Sequence, residues 1–293
     1  MSRMKIIIFG KKFQKEIVRY TMDLVAALKK ADVEILLEED FCNFLSGSNC
    51  DVSFVSEVIK DDSFSADFAF VIGGDGTFIK SAAKIGKKNI PILGINAGRL
   101  GFLADVSGDE IFPAIEEILS GKYVIEERAL LKLHTDKKSY SDFNYALNEI
   151  AILKQDTSSM ITIHVWVNRV FLNSYQADGL LVATSTGSTA YSMSVGGPIL
   201  VPQSSNFIIT PVAPHSLNVR PLIIPDNWKV ELKVESRNNH FLIALDGRNN
   251  VFHEKTKLKI QKASFSTKVI KRENQDFFSV LRSKLMWGVD NRK

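Results

Sequence analysis

The sequence has few of the residues that build disulfide frameworks or metal cages, and it has no long apolar run. Its two cysteines, Cys42 and Cys50, have a spacing that fits neither a disulfide framework nor a CxxC metal pair. No apolar run approaches the roughly 18 residues of a membrane helix. The run near the N-terminus is too short for a secretory signal, and no Asn-x-Ser/Thr sequon occurs. We therefore expect a cytoplasmic protein that does not act at a membrane.

The charge of the chain is nearly balanced. Its 37 Lys and Arg residues oppose 33 Asp and Glu residues, which gives a formal net charge of +4 over 293 residues. The basic residues are dispersed, so the charge does not indicate a nucleic-acid partner, although it suits anionic small molecules. Hydrophobic residues at 45% and charged residues at 24% are typical of a folded globular chain rather than a disordered one.

The first 121 residues alternate strand and helix patterns. Short apolar runs predict buried strands at Lys5–Phe9, Val33–Leu37, Asp67–Ile72 and Ile92–Ile95. Helical patterns predict helices at Glu16–Lys30 and Phe78–Ile85, and from a Ser107-x-x-Glu110 capping box to about Leu119. Residues 40–65 fit no element. The alternation predicts an α/β domain over residues 1–121 with an open, mostly parallel sheet.

After Gly121 the patterns change to mostly strand, which predicts a β-rich second domain over residues 122–270. Two strand patterns, Ile161–Val167 and Val170–Tyr175, flank Asn168-Arg169 and predict a hairpin. Further strands are predicted at Val230–Val234, Phe241–Leu245 and Leu258–Ile260. An amphipathic stretch, Gln275–Met286, predicts a helix within residues 271–293 that packs back on the first domain.

The sharpest local motif is Gly73-Gly74-Asp75-Gly76-Thr77 between a predicted strand and a predicted helix. Glycines let backbone amides approach a polyphosphate closely, and a helix N-terminus favours phosphate. An aspartate repels phosphate, so its presence indicates a second task, such as accepting a proton from an attacking hydroxyl. A tight strand–helix turn with an N-cap aspartate is the alternative. The P-loop string and the GxGxxG string are both missing, which excludes two common nucleotide-binding families.

Together with four further motifs, this loop resembles the sequence pattern of bacterial NAD kinases. The motifs are Asn96-x-Gly98-x-Leu100-Gly101-Phe102-Leu103, Asn148-Glu149, the block from Asp178 through TSTGSTAYSMSVGGPI, and Pro214-His215-Ser216-Leu217 before Arg220-Pro221-Leu222. GGDGT alone is weakly specific, because lipid kinases and phosphofructokinases share it or a close variant. The long Asp178–Ile199 block is much more specific. The matches lie in order from Gly73 to Gly247.

The resemblance implies phosphorylation of the 2′-hydroxyl of the adenosine ribose of NAD by ATP, with NADP as product. It also implies a divalent metal, Mg²⁺ carried with ATP, and a homodimer or homotetramer. No acidic or His/Cys cluster forms a dedicated metal cage, so we expect no protein metal site. A lipid kinase of the diacylglycerol or sphingosine type and a non-catalytic dinucleotide sensor are the alternatives. An apolar acyl cleft would favour the first, and an activity assay would distinguish the second.

The resemblance also assigns roles to individual residues. Asp75 is the expected catalytic base. The expected phosphate-binding residues are Gly73, Gly74, Gly76 and Thr77. The expected NAD-binding residues are Asp75, Gly76, Lys80, Asn148, Glu149, Asp178, Thr186, Thr189, Ala190, Tyr191, Ser192, Met193 and Ser194. Lys80 would supply positive charge to a phosphate, although an exposed helical lysine is the commoner case.

The chain departs from the family pattern at three positions. Ser185 stands where the family usually has proline, and this change is expected to loosen the loop without removing a contact. Gln176 replaces a basic residue two positions before Asp178, and Ser159 stands where many relatives carry His or Arg. The last two changes affect expected phosphate contacts and leave the proposed base untouched.

Overall fold

The computed structural model describes residues 3–12, 15–136, 143–156, 159–273 and 275–288. The chain divides into two compact units. Unit 1 comprises Met1–Glu127 with Thr267–Lys293, and unit 2 comprises Arg128–Ser266. Within residues 271–293, for which a C-terminal helix is predicted, residues 274 and 289–293 lie outside the described residues.

Unit 1 has the predicted alternation of strands and helices. Its strands are β1 (Met4–Gly10), β2 (Val33–Glu38), β3 (Glu57–Ile59), β4 (Phe68–Ile72), β5 (Ile92–Asn96) and β6 (Val106–Ser107). Its helices before residue 120 are α1 (Lys15–Leu28), α2 (Glu39–Gly47), α3 (Asp75–Ile85) and α4 (Ile111–Leu119), with a 3-10 turn at Gly108–Glu110. This confirms the predicted α/β class.

The sheet of unit 1 is parallel, in the order β3-β2-β1-β4-β5. The chain moves outward from β1 through β2 to β3 and returns to pair β4 with the other side of β1. The carboxyl ends of β1 and β4 therefore flank a switch point, where open α/β sheets bind ligands. Gly10 ends β1 at this point, and the glycine motif follows β4.

Three local predictions in unit 1 need correction. Helix α3 begins at Asp75, three residues before the predicted start. The capping box does not form, since the Ser107 hydroxyl accepts from the Asp109 amide and the α-helix starts only at Ile111. Part of the unassigned stretch forms α2, which buries Phe41 and Leu45 against the sheet. The sequence pattern did not predict this helix, because polar residues of its exposed face interrupt the apolar residues.

Unit 2 is almost entirely β-structure, as predicted. Two long strands cross the unit boundary: β7 (Tyr123–Thr135) and β18 (Leu258–Arg272). The strands between them are β8 (Tyr145–Ala146), β9 (Glu149–Lys154), β10 (Ile161–Val167), β11 (Val170–Ala177), β12 (Gly179–Thr184), β13 (Asn206–Val212), β14 (Leu222–Pro225), β15 (Val230–Glu235), β16 (His240–Leu245) and β17 (Arg248–His253). A 3-10 helix, Thr186–Thr189, and a short helix α5, Tyr191–Ser194, follow β12.

These strands form two antiparallel sheets within unit 2. One has the order β14-β13-β12-β9-β16-β17, and the other contains β11-β10-β15-β18. The predicted hairpin joins β10 to β11, and Asn168 and Arg169 both adopt positive φ angles of 49° and 69° at its turn. Side chains from both sheets, such as Ile163 and Ile152, are fully buried in one core.

The last helix, α6 (Phe277–Leu285), belongs to unit 1. The Asp276 side chain caps it by accepting from the Ser279 amide at 2.9 Å. Val280 and Leu281 are buried on its inner face. Among the described residues, no helix has both the length and the apolar character needed to cross a bilayer.

Candidate active site

The glycine motif connects β4 to α3 at the switch point of unit 1. A Cβ on Gly73 would lie 2.5 Å from the Thr77 hydroxyl oxygen, so the fold itself requires glycine there. A Cβ on Gly74 or Gly76 would meet no atom within 4 Å. Because packing within the chain does not require these two glycines, their open surfaces are free for a ligand to approach the backbone.

The carboxylate of Asp75 points away from its own helix and toward the segment after β5. Oδ1 accepts from the amides of Leu103 and Ala104 at 2.9 and 3.0 Å. Oδ2 accepts from the Phe102 amide at 3.0 Å and from the Lys284 ammonium at 3.0 Å. The alternative of an N-cap aspartate does not apply, because Gly74 occupies the N-cap position.

These donors set the charge of Asp75. Burial by itself raises the pKa of this carboxyl, but the Ala104 amide, the Lys284 ammonium and the amides of Phe102 and Leu103 outweigh burial and lower the pKa below 3.8. Asp75 is therefore ionised at neutral pH. It is a hydrogen-bond acceptor with weak basicity.

The segment that supplies these amides is firmly anchored. Leu103 and Ala104 are buried, and a Cβ on Gly94 of β5 would lie 2.6 Å from the Ala104 Cα atom. The next residue, Asp105, forms a buried ion pair with Lys271 of β18. Phe102 and Leu103 of the 96–103 motif thus contact Asp75 of the glycine motif through their backbone amides.

A cavity of about 340 Å³ adjoins the motif at the carboxyl end of β1. Its lining includes Gly10 and Thr77, together with four lysines: Lys11, Lys12, Lys80 and Lys84. Lys12 pairs with Asp40, and Lys84 pairs with Glu38. Burial, followed by the charge of Lys12, lowers the pKa of Lys84. The cavity therefore presents more cationic than anionic groups beside the glycine loop.

In unit 2, Asn148 and Glu149 stand at the start of β9, where a buried carboxylate fixes their backbone. Asp246 accepts from the amides of Leu147, Asn148 and Glu149 at 2.7, 2.8 and 3.1 Å. Burial raises the pKa of Asp246, while the three amides and Arg248 oppose that rise. The arrangement gives the Asn148-Glu149 pair a defined conformation.

The side chains of this pair carry polar atoms that the chain leaves unsatisfied. Oδ1 of Asn148 and Oε2 of Glu149 are buried and have no hydrogen-bond partner among the described residues. Burial, and then the nearby charge of Asp246, raise the pKa of Glu149 to about 7, against the opposing effect of the Tyr191 amide. Buried polar atoms of this kind are costly unless a ligand or water pairs with them.

The segment after β12 lies against Asn148. The Thr184 amide donates to the Asn148 carbonyl at 2.8 Å, and a Cβ on Gly187 would lie 2.1 Å from the same oxygen. The predicted residues of this segment differ in exposure: Tyr191 and Ser194 are exposed, Thr189, Ala190 and Met193 are half-buried, and Thr186 and Ser192 are buried. The Ser192 hydroxyl is paired with Thr210 at 3.1 Å, so it faces the interior.

Ser185, which stands in the family's proline position, does not leave the loop unsupported. Its hydroxyl lies within hydrogen-bond distance of the carbonyls of Ser204 and Asn206. We expected the loss of proline to loosen this loop. The structure instead shows the Ser185 side chain in contact with Ser204 just before β13 and with Asn206 at the start of β13.

The structure does not bring Asp178 to the other predicted residues of unit 2. Asp178 precedes β12, and its carboxylate pairs with the Lys154 ammonium at 2.7 Å. Asn148 and Glu149 lie at the opposite end of β9, since Ala183 pairs with Glu149 and Gly179 with Leu153. Four residues of strand correspond to roughly 13 Å. A ligand that contacts both Asp178 and Glu149 must therefore be extended.

Sequence reasoning missed two charged residues that contact predicted site residues, Asp246 in unit 2 and Lys284 in unit 1. Asp246-Gly247 forms the turn between β16 and β17, with φ angles of 48° and 80°, and the dipeptide by itself indicates only a hairpin turn. Its contact with residues 147–149 spans almost one hundred positions. Lys284 lies 209 positions from Asp75. Neither contact leaves a local signal in the sequence.

Two family models match the chain, in the same order as its motifs. The N-terminal domain of ATP-NAD kinases matches residues 6–123, and the C-terminal domain matches residues 147–272. The chain belongs to the ATP-NAD kinase family. Among NAD kinase relatives, that of Bacteroides fragilis is 50% identical over 99% of this chain and 100% of its own length. That of Cytophaga hutchinsonii is 44% identical over 97% and 98% of the two chains.

Solved structures of NAD and NADH kinases share this fold. The crystal structure of yeast NADH kinase complexed with NADH has a TM-score of 0.88 and covers 100% of this chain and 90% of that chain, at 22% identity. The crystal structure of an Archaeoglobus fulgidus NAD kinase in complex with ATP has a TM-score of 0.75 and 26% identity, and covers 96% and 99% of the two chains.

An ATP-using kinase family implies a divalent metal. No group of three His, Cys, Asp or Glu side chains in the described ranges is arranged to hold a metal ion. All acceptor positions of Asp75 are occupied by N–H donors. The residues present fit a cation that is held mainly by nucleotide phosphates, as is usual for Mg²⁺ in kinases.

Proposed function

We propose that this NAD kinase family member transfers the γ-phosphoryl group of ATP to the 2′-hydroxyl of the adenosine ribose of NAD, and so forms NADP. Family membership supports NAD and ATP as substrates. One observation carries the assignment of the site: an ionised carboxylate, Asp75, stands inside a glycine loop whose Gly74 and Gly76 surfaces are open. A hydrogen-bond acceptor beside a phosphate cradle can orient a hydroxyl for attack on a phosphoryl group.

The proposed step conserves atoms and charge. The 2′-oxygen forms a bond to the γ-phosphorus while the bond from that phosphorus to the bridging oxygen breaks, and its electron pair remains on ADP. The hydroxyl proton passes to Oδ2 of Asp75. Because the pKa of Asp75 is low, Asp75 first orients the hydroxyl and takes the proton late, when the oxygen is already bonding to phosphorus. A divalent cation on the phosphates would neutralise part of their charge.

We assign the remaining predicted residues by location. Gly73, Gly74, Gly76 and Thr77 hold phosphate, with Lys80 contributing charge from the adjoining cavity. In unit 2, the orphaned oxygens of Asn148 and Glu149 accept from hydroxyl or amino groups of the dinucleotide. The other proposed NAD contacts are Asp178, Thr186, Thr189, Ala190, Tyr191, Ser192, Met193 and Ser194. The buried Ser192 would act through its backbone.

Three further attributes belong to this proposal. The cation is Mg²⁺, the chain assembles as a homodimer or homotetramer, and it makes NADP in the cytoplasm. The identity of the cation is checked by replacing Mg²⁺ with other divalent metals in the assay. The oligomeric state is checked by light scattering of the purified chain. The family match names NAD kinases, which favours a dinucleotide over a lipid as the phosphoryl acceptor.

The deciding experiment incubates the purified chain with NAD, ATP and MgCl₂ and measures NADP with an NADP-specific dehydrogenase. Parallel reactions replace NAD with diacylglycerol in detergent micelles. We expect NADP only with NAD and ATP together. Phosphorylated lipid without NADP would support the lipid-kinase alternative, and NAD-induced thermal stabilisation without any product would support a non-catalytic sensor.

A further inference from the structure

Every acceptor position of the Asp75 carboxylate is filled. A carboxylate has about four lone-pair positions, and Asp75 receives four N–H donors: three amides of residues 102–104 and the Lys284 ammonium. A substrate hydroxyl that donates to this carboxylate must therefore replace one of these donors.

The three amides cannot leave without rearranging unit 1. They belong to a segment that is held by the buried Leu103 and Ala104 and by the ion pair of Asp105 with Lys271. The Gln275 side chain also donates to the Asp105 carbonyl at 3.1 Å. Opening this segment would expose its apolar residues and leave buried polar groups unpaired.

The Lys284 ammonium is the donor that can move. Its side chain is 31% exposed and extends from the last turn of α6 on a flexible four-carbon stem. The Lys284 Nζ atom lies 4.7 Å from the centre of the Phe102 ring, and the ring centres of Phe102 and of Phe277 in α6 are 6.0 Å apart. The helix thus keeps the ammonium close to Oδ2 while the side chain can still turn.

We propose that Lys284 is a further residue of the phosphoryl-transfer site, where it serves as an exchangeable partner of Asp75. In the free chain its ammonium occupies an acceptor position on Oδ2. When the acceptor hydroxyl takes that position, the ammonium turns to the phosphoryl group that the hydroxyl attacks and offsets the negative charge there. Lys284 keeps its proton throughout, and the bonds that form and break are those of the proposed reaction, on which this inference rests.

Two other roles for the same contact predict different results. If Lys284 only blocks Asp75, then removing the ammonium raises kcat or lowers the KM for NAD. If the pair only holds α6 in place, its loss lowers the melting temperature and leaves kcat unchanged. The exchange role predicts a fall in kcat with little change in substrate binding.

The experiment compares Lys284→Met, which keeps the stem and removes the charge, with Lys284→Arg, which keeps the charge. Arg282→Met is the matched control, because Arg282 is exposed on the same helix and its guanidinium contacts the Ser279 hydroxyl. We expect Lys284→Met to lower kcat on the order of 100-fold, with the KM for NAD within about threefold of wild type on the same reasoning. Lys284→Arg should recover part of this loss, and Arg282→Met should behave as wild type.

A second measurement does not depend on turnover. ADP, aluminium fluoride, MgCl₂ and NAD together imitate the transferred phosphoryl group, and their binding is followed by thermal shift. We expect Lys284→Met to lose the extra stabilisation that aluminium fluoride adds, while ATP and NAD alone stabilise it as they do wild type. Lys284→Gln replaces Lys284→Met if the latter does not fold.

The outcomes separate this inference from the proposed function. If the wild-type chain forms no NADP, the proposed function fails, whatever Lys284 does. If the wild type is active and Lys284→Met retains or exceeds its kcat and its aluminium fluoride response, the inference is wrong and the proposed function stands. A loss that appears equally in Lys284→Arg and Arg282→Met would show a structural effect of the helix and would also overturn the inference.

Discussion

Gly101 and Asp75 are packed so closely that a Cβ atom on Gly101 would lie 2.1 Å from Oδ1 of Asp75. The contact joins the glycine motif after β4 to the segment after β5. A substitution at Gly101 would therefore displace the proposed catalytic carboxylate without altering any functional group. A Cβ on Gly98, in the same segment, would meet no atom within 4 Å. The two glycines therefore form a matched pair for mutagenesis.

We expect Gly101→Ala to lower kcat on the order of 100-fold, because a displacement of Asp75 by about 1 Å spoils its alignment with the attacking hydroxyl. Gly98→Ala should stay near the wild-type kcat. Steady-state kinetics with both substrates, together with the melting temperature of each variant, check this. Equal activity of the two alanine variants would contradict the role of Asp75 geometry.

Asp75→Asn removes the charge that orients the hydroxyl and accepts its proton. We expect kcat to fall by roughly 100-fold or more, while the affinity for NAD, measured by calorimetry, falls less. An amide also presents donors to the amides of residues 102–104, so the melting temperature should fall as well. Asp109→Asn is the control, since Asp109 is an exposed carboxylate paired with Arg19. A near-normal kcat in Asp75→Asn would exclude the catalytic role.

Glu149→Gln tests the buried carboxyl of unit 2. The pKa of Glu149 is raised to about 7 from 4.5, so between these values the folded chain binds a proton that the unfolded chain has released. Stability therefore falls as pH rises through this window. Glutamine cannot ionise, and we expect the melting temperature of Glu149→Gln, relative to wild type, to increase from pH 5 to pH 8.

At pH 8, above the pKa of about 7, the same variant should bind NAD more weakly by about tenfold, because the ionised Glu149 carboxylate is replaced by a neutral amide. The control is Glu57→Gln, which removes an exposed carboxylate of unit 1. A variant that gains no stability at high pH would show that Glu149 is not held protonated, and unchanged NAD affinity would remove it from the proposed contacts.

Lys80→Met tests the basic cavity beside the glycine loop. We expect the KM for ATP to rise about fivefold, which corresponds to roughly 1 kcal/mol for a partly solvated charge. The KM for NAD should change less. Lys29→Met, which removes an exposed lysine elsewhere on unit 1, serves as the control. A larger effect on NAD than on ATP would instead support the NAD-binding role of Lys80 that the family resemblance implies.

The analogue 2′-deoxy-NAD tests which oxygen reacts. It lacks the proposed acceptor and should not be phosphorylated, yet it should compete with NAD, because most of its contacts are kept. One lost neutral hydrogen bond costs about 0.5–1.5 kcal/mol, and a charge-assisted bond to Asp75 costs more. Inhibition constants and phosphorus NMR check this. A new phosphate signal on the analogue would show that a different hydroxyl is the acceptor.

Much of unit 1 was predictable because its signals are local. The apolar runs of β1, β4 and β5 carry their own burial pattern, and the strand–glycine–helix order places the motif at the end of a strand. The incorrect secondary-structure predictions in unit 1 also concerned short stretches of the chain. The Ser107 hydroxyl accepts from the Asp109 amide instead of forming a full capping box. Helix α2 was missed because polar and charged residues flank its short apolar group, Phe41, Cys42, Phe44 and Leu45.

The sequence by itself determined the fold class, the glycine loop and the family, because these depend on residue types that are close together in the chain. The tertiary structure decided what surrounds each charged group. Three amides from residues 102–104 and an ammonium from residue 284 make Asp75 an ionised acceptor with no vacant position. Asp246 holds the backbone of Asn148 and Glu149 from almost one hundred positions away. A pKa depends on distances in space, and distances of this kind exist only once the chain has folded.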